Sequence, residues 1–154
     1  MVSLREATAG DLPLLLAWRN NPLVWIGTYT QREPIKWQDH RDWWQSRNKD
    51  HHSFMVLLFE DDIIRPVGVL HISLLDYWSP EIGIIIGEVS LWNKGIGTEA
   101  FRLGIEWLKC RGYKYTSTTV PQTNHAMVRV LEKLGFHEDG TAREGERRFA
   151  RRIT

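Results

Sequence analysis

Near the middle of the chain the residues Trp92-Asn93-Lys94-Gly95-Ile96-Gly97-Thr98-Glu99-Ala100 have the composition of an anion-binding turn. They follow the apolar run Ile82 to Ile86 and open a helical pattern. The first N–H groups of a helix have no internal partner and sit at the positive end of its dipole, so a phosphate can take their hydrogen bonds. Glycines let the phosphate approach the backbone. Three side chains nearby can handle a proton. Glu81 starts the strand pattern eleven residues before Trp92, Glu88 closes it, and His71 lies on the preceding strand pattern. A carboxylate or neutral imidazole in such a place can deprotonate a nucleophile. Cys110 sits beside Arg111-Gly112 at the end of a helical pattern and reads as a small buried residue rather than a nucleophile. His40, His51 and His52 lack the spacing of metal ligands and read as surface residues, so no metal is expected.

The elements that must position these groups follow from periodicity. Val2 to Ala7 alternates as a strand, and Thr8 or Asp11 caps a helix whose Leu12, Leu15 and Leu16 recur at helical spacing until Asn20-Asn21-Pro22. Residues 23 to 34 read as a loop, followed by an amphipathic helix over 35–48 in which Trp37 and Trp44 share a face. Ser53 to Phe59 and Ile63 to Leu75 form a hairpin about the turn Glu60-Asp61-Asp62, with Pro66 marking an edge or a bulge. In the strand Glu81 to Gly87, Ile82, Ile84 and Ile86 fill one face, while Glu81, Gly83, Ile85 and Gly87 leave the other nearly bare. The helix after the glycine turn buries Gly97, Ala100, Phe101, Gly104, Ile105 and Leu108 and stops at Gly112. Tyr113 to Val120 is a strand ended by Pro121. Asn124 then caps a helix with apolar residues Met127, Val130, Leu131 and Leu134, and a final hairpin follows Phe136. This order gives an α+β, mixed-sheet layout in which only the strand-turn-helix-strand portion is parallel.

The chain has 154 residues, which suits a single domain spanning 1–154. Lys plus Arg is 20 and Asp plus Glu is 19, a balance that argues against a dedicated nucleic-acid binder. A single cysteine, with no cleavable apolar leader and no apolar run long enough to span a bilayer, points to a cytoplasmic protein without membrane association. The late cluster Arg147-Arg148-Phe149-Ala150-Arg151-Arg152 reads as the solvated face of a last strand.

Gly95-Ile96-Gly97-Thr98-Glu99-Ala100 also fits the dinucleotide fingerprint G-x-G-x-x-G/A. That fingerprint requires a first-strand position and an acidic residue about twenty positions on, where this chain has Thr116-Ser117-Thr118-Thr119. A dinucleotide is therefore rejected. The whole stretch instead resembles the cofactor motif Gln/Arg-x-x-Gly-x-Gly/Ala of the GNAT superfamily of acetyl-CoA-dependent N-acetyltransferases, with Trp92 in place of the usual first residue. Asn124-His125-Ala126-Met127-Val128-Arg129-Val130-Leu131-Glu132-Lys133-Leu134-Gly135-Phe136 is similar to the second motif of its ribosomal-protein N-terminal acetyltransferase branch. The resemblance covers nearly the whole chain.

This resemblance implies an α/β/α-layered GNAT fold: a mixed, mostly antiparallel sheet of about six to seven strands flanked by about four helices. Its fourth and fifth strands would be Glu81 to Val89 and Tyr115 to Val120, splayed to admit the pantetheine arm. It implies acetyl-CoA as co-substrate, with the diphosphate on the amides of Asn93, Lys94, Gly95, Ile96, Gly97 and Thr98. The arm would meet backbone near Val89, and Trp92, Asn124, Arg129 and Lys133 would lie beside the cofactor. Direct attack by a bound amine is expected, with Glu81 as the base and Glu88 as the second candidate. Leu131 and Met127 stand where family members carry a tyrosine or serine acid, so proton return falls to another group such as Tyr29 or Tyr115 through water, or to the amine or solvent. Arg19, Asn20, Trp25, Tyr29 and His71 are placed on the acceptor side. The segment from Trp18 to Trp44 resembles nucleotide-aminosugar N-acetyltransferases of the pseudaminic-acid type. Such an acceptor is the leading expectation; a protein N-terminus is the alternative, and a non-catalytic acetyl-CoA sensor ranks third. A homodimer is compatible with the resemblance.

Overall fold

The computed structural model describes residues 1–25, 31–47, 49–140 and 142–154. The first strand, β1 (Val2–Glu6), leads through a short 3-10 turn into helix α1 (Leu12–Arg19). Asp11 holds this junction. Its carboxylate accepts the Thr8 backbone N–H at 2.8 Å and two guanidinium N–H bonds from Arg5, also at 2.8 Å. The Arg5 hydrogen bonds keep the Asp11 carboxyl below its ordinary value despite partial burial.

Pro22 begins an element rather than ending one. The Asn21 side chain accepts the Leu23 N–H at 3.0 Å, and the Asn21 carbonyl accepts the N–H groups of Val24 and Trp25. A proline directly after such a cap is preorganised for a helix, and Pro22–Trp25 forms the single turn α2 where sequence periodicity predicts a loop. Helix α3 spans Trp37–Ser46.

The hairpin strands are β2 (His52–Glu60) and β3 (Ile63–Ser73), joined at Asp61 and Asp62, both with positive φ (52° and 59°) as a tight hairpin turn requires. Their register shifts between Val56 and Leu57, so Pro66 pairs with Leu57 while Val67 is the extra residue. Pro66 therefore marks a bulge. Next come β4 (Glu81–Ile86), α4 (Ile96–Cys110), β5 (Tyr115–Pro121), α5 (His125–Lys133), β6 (His137–Glu138) and β7 (Glu146–Arg152).

The strands form one sheet of seven in the order β1-β2-β3-β4-β5-β7-β6. All neighbours are antiparallel except β4 and β5. On one face, α4 packs Ala100, Phe101, Ile105 and Leu108 with Phe54, Val56, Leu70, Ile72 and Ile82, in a core that also takes Val128 and Leu131 of α5. Gly104 lets the helix approach: a Cβ there would stand 3.2 Å from both Leu70 methyls. On the other face, Leu12, Leu15 and Trp18 of α1 pack on Met55 and Val69, with Trp43 and Trp44 of α3 beside them. The expected α+β architecture is thus present. Cys110, expected inside, is exposed, because the last turn of α4 carries it away from the buried stripe.

Candidate functional site

The turn between β4 and α4 is held by two left-handed residues, Asn93 (φ 63°) and Gly95 (φ 81°), the latter being the helix N-cap. The first intrahelical bond runs from the Glu99 N–H to the Gly95 carbonyl at 3.1 Å. Among the described residues, the N–H groups of Ile96, Gly97 and Thr98 have no partner. They are the donors of an anion cradle at the positive end of a fifteen-residue helix. Gly97 packs over the end of β4, where an added Cβ would make ordinary contact with Ile86 at 3.6 Å. Trp92 donates its indole N–H to the Ile86 carbonyl at 2.7 Å, tying the turn to the strand it follows. Lys94, Arg129 and Lys133 are exposed, the last two one turn apart on α5. Asn124 caps α5 by accepting the Met127 N–H at 3.2 Å.

Below the turn the two parallel strands part. The β4–β5 ladder consists of one pair, Glu81 with Ser117, supported by the Ser117 N–H and the Thr116 hydroxyl on the Pro80 carbonyl at 3.0 and 2.9 Å. Because the Pro80 carbonyl faces β5, strand alternation turns the backbone groups of Ile82, Ile84 and Ile86 to the same side. Along that length β5 gives them no strand partner. At the far end the N–H groups of Gly87 and Glu88 both bond the Val67 carbonyl, at 2.9 and 3.3 Å, a bulge that bends the chain into the Val89–Leu91 turn. The result is a wedge lined with backbone donors and acceptors, closed at Glu81 and open toward the cradle. At its vertex Ser117 adds a buried hydroxyl that has no partner among the described residues.

On the α1 face, Ser53, His71 and Gly83 lie in one row across β2, β3 and β4. Among the described residues, a Cβ on Gly83 would meet nothing within 4 Å, so an open-sided chamber lies over the exposed middle of the sheet with Glu81 and Ile85 on either side of it along the strand. Gly87, four residues on from Gly83, is instead covered by Trp18, whose indole N–H reaches Glu88 Oε1 at 3.4 Å. Glu81 thus borders both chamber and wedge, whereas Glu88 is engaged by Trp18.

Proton positions in the chamber wall follow from a short relay. Arg47 donates to Ser53 Oγ at 3.0 Å, and Ser53 Oγ lies 2.8 Å from His71 Nδ1. Accepting from Arg47 polarises the Ser53 hydroxyl and makes it a better donor, which favours its proton on His71 Nδ1 and the His71 proton on Nε2. Burial first, then the positive charges of His51, Arg19 and Arg47, push the His71 pKa down to about 3. His71 is a neutral donor and not a base. His40, expected on the surface, is fully buried. Its Nε2 bonds the Leu12 carbonyl at 3.0 Å and its Nδ1 meets Arg19 at 3.2 Å, so it orients Arg19. Asn20 is committed to the backbone: its amide accepts the Ile35 N–H at 2.7 Å and donates to the Ile35 carbonyl at 2.9 Å, clamping the loop between α1 and α3. Trp25 is half-buried at the end of α2. Tyr29 lies outside the described residues. Arg147 and Arg148 of the late basic cluster pair with Glu138 and Asp139 across the last hairpin.

A helix-start cradle above a wedge of parting parallel strands accompanies a direct family match: residues 2–137 correspond to the acetyltransferase (GNAT) domain. The chain belongs to the GNAT acetyltransferase family. The chain is also similar to known proteins at very different distances. An uncharacterized protein of Methanocaldococcus jannaschii is 41% identical over 145 residues, which is 94% of this GNAT chain but 30% of that protein, so the chain spans about a third of its curated relative. The crystal structure of a domain from the same organism superposes with a TM-score of 0.96 at 39% identity, covering 99% of each chain. The Vibrio cholerae spermidine N-acetyltransferase, solved with CoA and spermine, shares the GNAT fold at a TM-score of 0.83 and 18% identity, covering 99% of this chain and 95% of that one.

Within this GNAT domain, sequence reasoning locates the cradle and Glu81 but misses Trp18, Arg47, Ser53 and Ser117. Trp18 carried one usable signal: a large aromatic on a helix and a bare glycine face on a strand are complementary shapes. The other three depend on strand register between segments far apart in sequence.

Proposed function

We propose that the chain is an acetyl-CoA-dependent N-acetyltransferase acting on a primary amine by direct attack. The observation that carries this reading is the position of Glu81, at the vertex of the wedge beneath the cradle and beside the open chamber over Gly83. The donor set suits CoA: unpartnered N–H groups at Ile96, Gly97 and Thr98 match a diphosphate, and the outward backbone of Ile84 matches an amide-bearing arm. Acetyl-CoA supplies a thioester whose acetyl group passes to the amine nitrogen as the C–S bond breaks and CoA leaves as its thiol. Glu81 takes the proton that the amine must lose, directly or through water. Leu131 is fully buried and Met127 carries no proton, so neither returns one to sulfur, and solvent in the wedge does so instead.

The acceptor enters over Gly83, between α1 and α3. Arg19 and Trp43 border that approach beside His71, and a flat aromatic with a guanidinium suits a nucleotide-linked aminosugar. We read the domain as one unit over 1–154. Among the described residues no helix is long and apolar enough to cross a membrane. Thiol release from acetyl-CoA in the presence of nucleotide aminosugars, simple amines and N-terminal peptides tests the assignment. Turnover on the aminosugars, falling about a hundredfold or more in Glu81→Gln with a changed pH profile, is the expected result. Turnover on peptides alone would move the acceptor to a protein N-terminus. Tight CoA binding with no turnover on any acceptor would make the domain a sensor.

A further inference from the structure

The chamber wall concentrates positive charge that amine deprotonation does not use. Arg19 and Arg47 are half-buried around Trp43, with their guanidinium carbons 5.2 and 5.8 Å from its ring centroid. The rings of His51 and His71 stand edge-on to the same indole at 6.2 and 5.9 Å, and 5.5 Å from each other. Among the described residues, no carboxylate lies within ion-pair distance of Arg19 or Arg47. In contrast, Arg5, Arg102, Arg143, Arg147 and Arg148 all have acidic partners. Among the described residues, the buried Nε2 atom of His51 has no hydrogen-bond partner.

Such an arrangement is costly in the free protein. A guanidinium removed from water without a counter-charge loses solvation that only an anion restores well. Arg19 is also preorganised, since stacking on Trp43 and the bond to His40 Nδ1 fix its plane before any ligand arrives. The relay from Arg47 through Ser53 leaves His71 presenting its Nε2–H, and His71 is the direct cross-strand neighbour of open Gly83.

We propose that Arg19 and the Nε2–H of His71 form a subsite for an oxyanion, a phosphate ester or a carboxylate, carried by the acceptor itself. The proposal rests on the chamber over Gly83 being the acceptor site. It sets the substrate class: the acceptor carries an amine for Glu81 and an anionic group held on the far wall. Polyamines, bearing only positive charge, are repelled by the same wall.

Calorimetry on the full chain saturated with CoA, which occupies the diphosphate cradle, tests this. Inorganic phosphate is expected to bind a second site, and O-phosphoethanolamine and β-alanine to bind about tenfold or more tightly than ethanolamine and propylamine, as expected for charge-assisted hydrogen bonds. A stronger response to O-phosphoethanolamine than to β-alanine would assign the oxyanion to a phosphate ester, and the reverse to a carboxylate. In Arg19→Gln the preference is expected to fall to near parity with CoA affinity retained, and in His71→Phe to fall in part. Arg19→Lys, which keeps the charge, covers the case in which Arg19→Gln does not fold and should retain a measurable preference. Absence of oxyanion binding, equal or tighter binding of spermidine, or a preference that survives Arg19→Gln would each overturn the subsite. Failure to bind CoA is a separate outcome that removes the functional reading beneath it.

Discussion

Trp18 lies flat against Gly87, so closely that a Cβ on Gly87 would fall 2.1 Å from the indole Cγ. This contact seals one end of the bare face that β4 begins, and four residues earlier the same face is open at Gly83. Wall and opening therefore share one face, with Ile85 between them. Gly87→Ala is expected to cost about 3 kcal/mol, a fall in Tm of roughly 10 °C, because the buried Trp18 must be displaced. A variant as stable as the parent by thermal denaturation would show that the indole has room to yield.

Gly83→Val should behave in the opposite way. The added side chain meets open space and gains strand propensity, so Tm should stay within a few degrees of the parent. The chamber, however, is filled. Acceptor kcat/KM is expected to fall about tenfold or more while CoA affinity holds. Undiminished turnover would place the acceptor elsewhere.

These two glycines show what the sequence could and could not reveal. Alternation alone places Glu81, Gly83, Ile85 and Gly87 on one face, and Gly95 beside a helical pattern announces the cradle. The Asn124 cap and the Pro66 bulge are equally local and equally legible. Which glycine is covered and which is open depends on Trp18, some seventy residues away. His40 reads as exposed because its burial is created by Leu12 and Arg19 of another helix. The relay from Arg47 to His71 exists only once β2 and β3 are in register. Helix α2 was hidden because a proline after two asparagines signals a stop and a start with the same residues.

His71 makes stability depend on acidity. Its folded pKa of about 3 lies below the ordinary 6.5, so the unfolded chain binds the proton more readily. The neutral form's stabilisation is present above 6.5 and is lost as pH falls toward 3. His40 and His51 are shifted in the same direction, mainly by burial. The Tm of the parent should therefore drop steadily over this window, and His71→Gln should flatten the slope. Ring-nitrogen NMR should show His71 in the Nε2–H form from neutral pH down to pH 5; protonation above pH 5 would contradict the assignment.

Asp11 gives a second acid dependence at lower pH. Its Arg5 hydrogen bonds depress the carboxyl pKa below the ordinary 3.8, so its contribution is complete above that value and disappears as pH falls through the depressed one. Asp11→Asn should cost about 2 kcal/mol at neutral pH, since it removes a cap and a charge-assisted pair. The gap between variant and parent should narrow below about pH 4, where the parent's carboxyl begins to protonate. A constant gap across pH would mean that packing, not charge, holds the β1–α1 junction.

The cradle at Ile96 to Thr98 is the point on which acetyl transfer rests. Gly97→Asp tests it with little disturbance to the fold: the new Cβ makes only ordinary contact with Ile86, and a carboxylate in the first helical turn favours the free helix. The same carboxylate stands among the N–H groups proposed to hold the diphosphate. Calorimetric titration with acetyl-CoA should show binding to the parent and a loss of about a hundredfold or more in Gly97→Asp, with Tm of the free protein unchanged or raised. No binding to the parent, or equal affinity in both proteins, would contradict the cradle and the acetyl-transfer reading built on it.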